Sequence, residues 1–246
     1  MLNRQLVRMF QSGRIYNVRM KILGIETSTE HCSAALWRDG QVSSHTELAG
    51  QRHSEILLPM IDTLLDKQGC RLQELDGLAF GAGPGSFTGV RIAASVAQGL
   101  ALGTGIPVMP VCTLEALAED SGMDRVACAL DARLDEVYFA AYERQGDEWK
   151  AVVPPCLSAI ADLAPLPGTG WGGLGTGFSV LDGELARHLD LDAVDTGKVP
   201  DARAIVALGA RMLKSGTGLD PAAAQPIYLR DKVAMTTLER HARGYK

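Results

Sequence analysis

The sequence predicts an α/β fold in which helices pack on mixed sheets, and three observations carry that prediction. Apolar strand-like runs and helical stripes follow one another in the order β-β-β-α-β-α-β-α up to about residue 120. Past Gly122 the chain begins again with two strand-like runs, a faint sign of internal duplication. The composition, 46% hydrophobic and 22% charged over 246 residues, supports a substantial core in one large or two small domains.

KILGIET (21–27) is a short apolar run, the pattern of a buried strand. SAALW (33–37) and QVSSHTEL (41–48) flank Arg38-Asp39-Gly40, and Asp-Gly between strand-like runs predicts a hairpin because Gly tolerates positive φ. In HSEILLPMIDTLLDKQG (53–69), Leu57, Met60, Ile61, Leu64 and Leu65 form one helical stripe. Ser54 is a candidate N-cap and Gly69 a candidate C-cap, and Pro59 has to be absorbed by the first turn. Ile56 and Leu58 lie off the stripe, which predicts a helix with two buried faces. DGLAFG (76–81) is a further strand, followed by a second helix over about 89–102. Residues 107–111 read as a strand and 113–120 as a helix capped by Thr113. In the second half RVACALDAR (125–133) and EVYFAAYE (136–143) are paired strands, and a Pro/Gly-rich stretch occupies 154–177. A helix is predicted over 201–213, and QPIYLRDKVA (225–234) starts extended.

Charge and cysteine usage narrow the function classes. The formal net charge of −5 argues against a chain that grips nucleic acid by charge alone. No stretch approaches the roughly 18 uncharged apolar residues of a membrane span, so no membrane partner is expected. Cys32, Cys70, Cys112, Cys128 and Cys156 carry no C-x-x-C spacing. Such a set reads as free thiols in a reducing compartment, hence a cytoplasmic protein. A catalytic cysteine is the minor reading, and only Cys32 has a histidine, His31, beside it. Residues 1–19 contain Arg4, Arg8, Arg14 and Arg19 and no acid; the 24 basic residues less these four leave 20 against 29 acidic ones, a core charge of −9. The segment lacks the apolar stretch of a secretory signal. An extension from a misassigned start is the favoured reading, beside a disordered basic tail or an organelle transit peptide. The rest divides into a first lobe over 20–120 and a smaller, trimmed second lobe over 121–246.

The most distinctive stretch is GAGPGSFTGVRI (81–92). It fails G-x-G-x-x-G, the P-loop and the nucleophile elbow, since Ser86 and Thr88 stand where glycines are required and no GK[ST] exists in the chain. Two readings remain. Backbone N–H groups at the start of a helix, with the hydroxyls of Ser86 and Thr88, could hold an anion; or Ser86 or Thr88 simply caps the helix and the glycines allow a tight turn. Small residues crowd the helix that follows, which lets another element approach closely. Val90, Ile92, Val96, Leu100 and Leu102 spread over more than one side of it, consistent with a second packing surface. Metal chemistry has little support: the histidines at 31, 45, 53, 188 and 241 form no i, i+3 or i, i+4 pair. Asp131, Arg133, Asp135 and Glu136 read as a solvated strand turn, and Glu26, ending the first strand, is the best lone carboxylate.

Taken in order, ILGIETST, HSEILLP, GPGSFTGVRI, DARLDEVY and PIYLR resemble the TsaB (YeaZ) family, over residues 20 to about 234. GPGSFTG-x-R-I with HSE-x-LLP upstream is highly specific, whereas ILGIETST is shared with the wider sugar kinase, actin and Hsp70-like class. The resemblance implies a two-lobed fold of that class, each lobe a ribonuclease H-like β-β-β-α-β-α unit. It implies a role in forming N6-threonylcarbamoyladenosine beside the anticodon of tRNAs that read codons beginning with A. In that pathway the paralogue TsaD transfers the threonylcarbamoyl group, and TsaB is the non-catalytic partner that binds TsaD and, through the pair, the ATPase TsaE. TsaD-type proteins hold a metal with His-x-x-x-His on a helix; here the corresponding helix carries only His53 at its start, which favours a scaffold over an enzyme. The first strand ends Glu26-Thr27 where many family members have Asp-Thr.

Family members pair through the helix starting at HSE and the helix after GPGSFTG, with TsaD or as a homodimer in isolation. That carry-over nominates Ile56, Leu57, Met60, Ile61, Leu64, Val90, Ala93, Ala94 and Ala97 as the partner interface. tRNA is expected to bind only through the complex. No cofactor is certain; ATP or ADP at the partner interface is a candidate, with Thr27, Gly83, Gly85, Ser86 and Thr88 as the candidate anion or nucleotide loop. The alternative function is a nucleotide-dependent transferase or a peptidase-like enzyme in its own right.

Overall fold

The computed structural model describes residues 20–230; the basic segment 1–19 and the last four residues of the 225–234 run lie outside them. The first sheet holds β1 (Lys21–Glu26), β2 (His31–Arg38), β3 (Gln41–Leu48), β4 (Gly77–Gly83) and β5 (Val108–Cys112) in the order β3-β2-β1-β4-β5. The pairs β1–β2 and β2–β3 are antiparallel, while β1–β4 and β4–β5 are parallel. The second sheet repeats this plan with β6 (Arg125–Asp131), β7 (Glu136–Gln145), β8 (Glu148–Ala159), β9 (Gly172–Leu174) and β10 (Ala193–Asp195), ordered β8-β7-β6-β9-β10 with the same strand senses. The internal duplication is therefore real, and the second copy is trimmed at β9 and β10. The predicted hairpin forms between β2 and β3, with Asp39 at φ +52° and Gly40 at φ +88° in the two-residue turn.

Five α-helices complete the described residues: α1 (His53–Lys67), α2 (Phe87–Thr104), α3 (Thr113–Glu119), α4 (Glu184–His188) and α5 (Ala202–Lys214). Three local expectations need correction. Ser54 lies inside α1 and Arg52 occupies the N-cap without a side-chain cap. Pro59 sits in the second turn rather than the first; it and Glu55 are exposed, so water can satisfy the carbonyl that loses its donor. Thr113 is the first residue of α3 rather than its cap, and its hydroxyl donates to the Pro84 carbonyl. The C-terminus of α1 behaves as expected: Gly69 takes φ +57°, its N–H reaches the Asp66 carbonyl and the Cys70 N–H reaches Leu65.

One face of the first sheet is covered by α1 and α2 and the opposite face by α5. The second sheet packs one face against α3 and the other against α4 and the 3-10 turn at Thr176–Gly183. α5 belongs to the second half of the chain, yet Ile205 and Val206 share a core with Ile22, Ala79 and Met109 of the first sheet. The fit is tight: a Cβ on Gly209 would lie 2.4 Å from the Ala79 Cβ. The lobe boundary at 120/121 therefore misassigns α5, because an amphipathic stripe does not record which sheet it covers. The 224–230 segment also returns to the first lobe as a strap: the Ile227 N–H donates to the Ala82 carbonyl at 2.7 Å and Ala224 joins the core beneath α1 and α2 on the opposite face of the sheet. A further departure is β8, which carries Pro154 and Pro155 inside the stretch read as Pro/Gly-rich. It is an edge strand, where a missing N–H need not cost a ladder bond.

Candidate functional site

The glycine loop between β4 and α2 is held by the end of β1. The Ser86 N–H donates to the Ser28 carbonyl at 2.7 Å, and the Thr27 hydroxyl donates to the Gly89 carbonyl at 2.8 Å. A Cβ on Gly89 would fall 1.9 Å from the Thr27 carbonyl oxygen, and one on Gly81 would fall 1.5 Å from Glu26 Oε2. Those two glycines are needed for close approach. Ser86 is the N-cap of α2, its Oγ accepting from the Gly89 N–H at 3.4 Å. The capping reading of the loop thus holds for Ser86. Of the candidate anion residues, Thr27 and Gly83 are buried in this architecture, Gly85 is half-buried, and Ser86 and Thr88 are exposed. The Phe87 and Thr88 amides are the first-turn donors that the described residues leave without a partner.

Glu26 is the electrostatic outlier of this region. Burial raises its carboxyl from 4.5 to about 7; the backbone N–H and hydroxyl of Ser28 pull the other way, and Asp201 adds a smaller upward push. Oε1 accepts from the Ser28 N–H, whereas Oε2 has no partner. Glu26 therefore does accept from the adjacent turn. Asp201 has opposite surroundings. Although burial opposes it, hydrogen bonds from the Arg203 backbone and side chain and from Thr46 hold its carboxyl below the ordinary value. His53 is buried with its ring against the His31 carbonyl at 3.2 Å. Among the described residues, no group of three or more His, Cys, Asp or Glu is arranged to hold a metal ion. The minor reading of Cys32 as a nucleophile does not survive the geometry: burial, then the charges of Glu26 and Glu47, push its thiol up to about 12.

A cleft of about 1470 Å³ opens between the lobes, lined by Ser28, Gly85 and Thr88 on one side and Arg133, Leu134 and Thr176 on the other. The Asp131–Glu136 turn is exposed at its tip, as expected, but its backbone is unusual: Arg133, Leu134 and Asp135 take φ of +65°, +58° and +59° in succession. Arg230 reaches across from the strap to the second lobe, donating to the Ala132 carbonyl at 3.1 Å and to Glu136 at 2.7 Å. At the rim the Arg91 guanidinium lies 3.2 Å from the Phe87 ring centroid, and its Nε donates to the Tyr228 hydroxyl at 2.9 Å. Sequence reasoning passed over these three side chains. GPGSFTGVRI and PIYLR contain them, but nothing local says that positions 137 apart meet.

The helix pair requires a correction of face. Leu57, Met60, Ile61, Leu64, Val90, Ala93, Ala94 and Ala97 are all buried within the chain, and only Ile56 of the nominated interface is half-buried. All but Val90 and the half-buried Ile56 are members of one core beneath α1 and α2. The stripe that sequence periodicity picks out is the inner stripe, because burial against the sheet imposes the strongest periodicity. The outer surface is carried by neighbouring residues: Leu58 is 49% and Leu102 58% exposed, with Ile92, Val96 and Leu100 half-buried. A groove of about 480 Å³ runs there, lined by Leu58, Pro59, Asp62, Leu72 and Leu100 among others. Ser95, Gly99 and Gly103 form an exposed small-residue row on α2, and a Cβ at either glycine would meet nothing within 4 Å.

Comparison with known proteins identifies the family. Residues 42–238 match the family model described as TsaD: tRNA N6-adenosine threonylcarbamoyltransferase. The tRNA threonylcarbamoyladenosine biosynthesis protein TsaB of Escherichia coli K12 is 39% identical over 231 residues, spanning 89% of this chain and 98% of that one. The protein of the same name from Haemophilus influenzae is 45% identical over 130 residues, 51% of this chain and 55% of its own. The solved structure of YeaZ from Pseudomonas aeruginosa superposes with a TM-score of 0.79 at 37% identity, covering 85% of this chain and all of that one.

Proposed function

This chain belongs to the TsaB family, whose members take part in tRNA threonylcarbamoyladenosine biosynthesis, and from that premise we propose that it is the non-catalytic scaffold subunit of the modifying complex. The outer face of α2, with Leu58 of α1 beside it, supports this reading best. α2 is an 18-residue helix with one charged side chain, Arg91, and its exposed side beyond the first turns is Ser95, Gly99, Leu102 and Gly103. A solvated helix normally carries charge on its outer side. Here small residues permit close backbone approach while Leu58, Leu100 and Leu102 offer apolar area to be covered.

The partner we assign to this face is the TsaD-type transferase, with a second copy of this chain taking its place when the transferase is absent. TsaE joins through the assembled pair, in the cytoplasm, and tRNA is engaged chiefly in the complex. The chemistry of threonylcarbamoyl transfer then belongs to the partner. The thiols of Cys112 and Cys128 are pushed up by desolvation, away from the thiolate form.

Size-exclusion chromatography of the chain with the TsaD-type protein tests the reading. A joint peak is expected for the natural chain and loss of that peak for Gly99→Asp. Threonylcarbamoyl transfer to tRNA is expected only when the transferase and TsaE are both present. Transfer by the isolated chain would overturn the proposal in favour of an enzyme.

A further inference from the structure

The cluster at the rim of the interlobe cleft lies at the N-terminal end of α2, one turn before the Ser95, Gly99 and Gly103 row assigned to the partner. Phe87 and Arg91 are four residues apart on α2 and so share one face of its first turns. Tyr228 comes to the same place from the strap that returns after α5. Its ring centroid is 6.2 Å from that of Phe87 at an interplanar angle of 44°, and 5.3 Å from the Arg91 guanidinium. Both rings stay open to solvent, Phe87 at 43% and Tyr228 at 50% exposure. The guanidinium is thus stacked on one ring and anchored through Nε to the hydroxyl of the other. Its remaining donors, the Nη1 and Nη2 fork, have no partner among the described residues.

An exposed arginine ordinarily loses rotamer freedom when it binds an anion. Here two aromatic contacts have already fixed the side chain, so the fork is preorganised for a planar two-oxygen acceptor. Two acids across the cleft already have arginine partners of their own. Asp131 is paired with Arg133 at 3.0 Å and Glu136 with Arg230 at 2.7 Å. A carboxylate would use the fork and leave both rings idle. A nucleotide with an unpaired base uses everything: a phosphate on the fork and a base on an open ring face.

We propose that Phe87, Arg91 and Tyr228 form a contact for single-stranded RNA, taking a phosphate and an unstacked base of the tRNA that the complex modifies. The inference rests on the reading of this chain as a subunit of that complex. It adds a direct and modest RNA contact to a chain whose core is acidic, with most of the affinity supplied by the partner.

The experiment is fluorescence anisotropy of a fluorescein-labelled, unmodified anticodon stem–loop RNA, titrated with the full chain at low salt and with its transferase complex. Arg91→Ala should weaken binding at least about fivefold and reduce the slope of log affinity against log salt by about 0.7, the value for one phosphate on a single strand. Arg91→Lys should keep the slope and still bind more weakly. Phe87→Leu should weaken binding about fivefold or more with the slope unchanged, since it removes stacking and no charge. A fully paired RNA of equal length should compete poorly. Co-elution with the transferase should be unaffected by all three substitutions.

RNA binding equal to that of the natural chain in Arg91→Ala and Phe87→Leu would overturn the proposal, as would equal competition by the paired RNA. Loss of co-elution in Arg91→Ala would also overturn it, by assigning the cluster to a protein interface. If the natural chain fails to co-elute while the RNA effects appear, the subunit reading fails and the RNA contact stands.

Discussion

Replacing Glu26 by Gln should remove most of a pH dependence that the fold imposes on its own stability. Glu26 is fully buried at the end of β1, with Oε2 facing Gly81 and lacking a partner. Its carboxyl rises from 4.5 to about 7, chiefly by burial. The folded state therefore keeps a proton that the unfolded chain releases. The associated stability is fully present below the unfolded value, falls as pH rises through the interval, and is constant again above about 7. At 1.36 kcal/mol per unit, an interval of about 2.5 units corresponds to about 3 kcal/mol. That is a large part of the 5–15 kcal/mol typical of a domain. Gln is neutral and nearly the same shape, so it keeps the packing and loses the titration. The assay is urea unfolding of both proteins between pH 4.5 and 8. Every other group titrates alike in the two, so the difference between them isolates Glu26 and should shift by about 3 kcal/mol in favour of Gln as pH rises. A difference that is flat across this range, or that moves the other way, would refute the reasoning.

The other predictions concern the two helices and their anchors. Leu57→Ala should lower stability by about 2–5 kcal/mol in the same unfolding assay, because the side chain is 1% exposed. Leu58→Asp, one residue along and half exposed, should change stability by no more than about 0.5 kcal/mol yet abolish co-elution with the transferase. Helix propensity alone would make Gly89→Ala stabilising by about 1 kcal/mol. The 1.9 Å approach to the Thr27 carbonyl makes it destabilising by about 3 kcal/mol, so the sign of the shift in thermal midpoint decides. Asp201→Ala removes the N-cap of α5 and the acceptor for Thr46, at a cost of about 1–2 kcal/mol near neutral pH. Its carboxyl is held low in the fold, so this contribution is lost as pH falls through the acid range, opposite in sense to Glu26.

Local chemistry made much of the fold legible. Asp39-Gly40 dictates its turn because those residues tolerate positive φ, and Gly69 ends α1 for the same reason. The strands of the first sheet follow from apolar runs whose length and flanks leave few alternatives. Ser54 and Thr113 look like caps in the sequence because hydroxyl residues suit several positions near a helix start, and only the backbone path selects among them. β8 was hidden by two prolines that only an edge position makes acceptable. For the nominated interface, the helical stripe marks side chains that the structure buries within the chain. Leu57 and Leu64 are periodic because the sheet buries them, whereas Leu58 and Leu102 stand off that stripe, which signals a second surface without saying that it stays open within the chain.

The sequence by itself determined the alternation of strands and helices in the first half and the family, with two strand-like runs after Gly122 hinting at the repeat, since each is written in spacing between near neighbours. Only the tertiary structure decided that α5 crosses to the first sheet, that Tyr228 meets Arg91, and that Glu26 is sealed beneath Gly81. Those contacts join residues far apart along the chain. Their energies come from which surfaces are excluded from water together, and no local pattern records that choice.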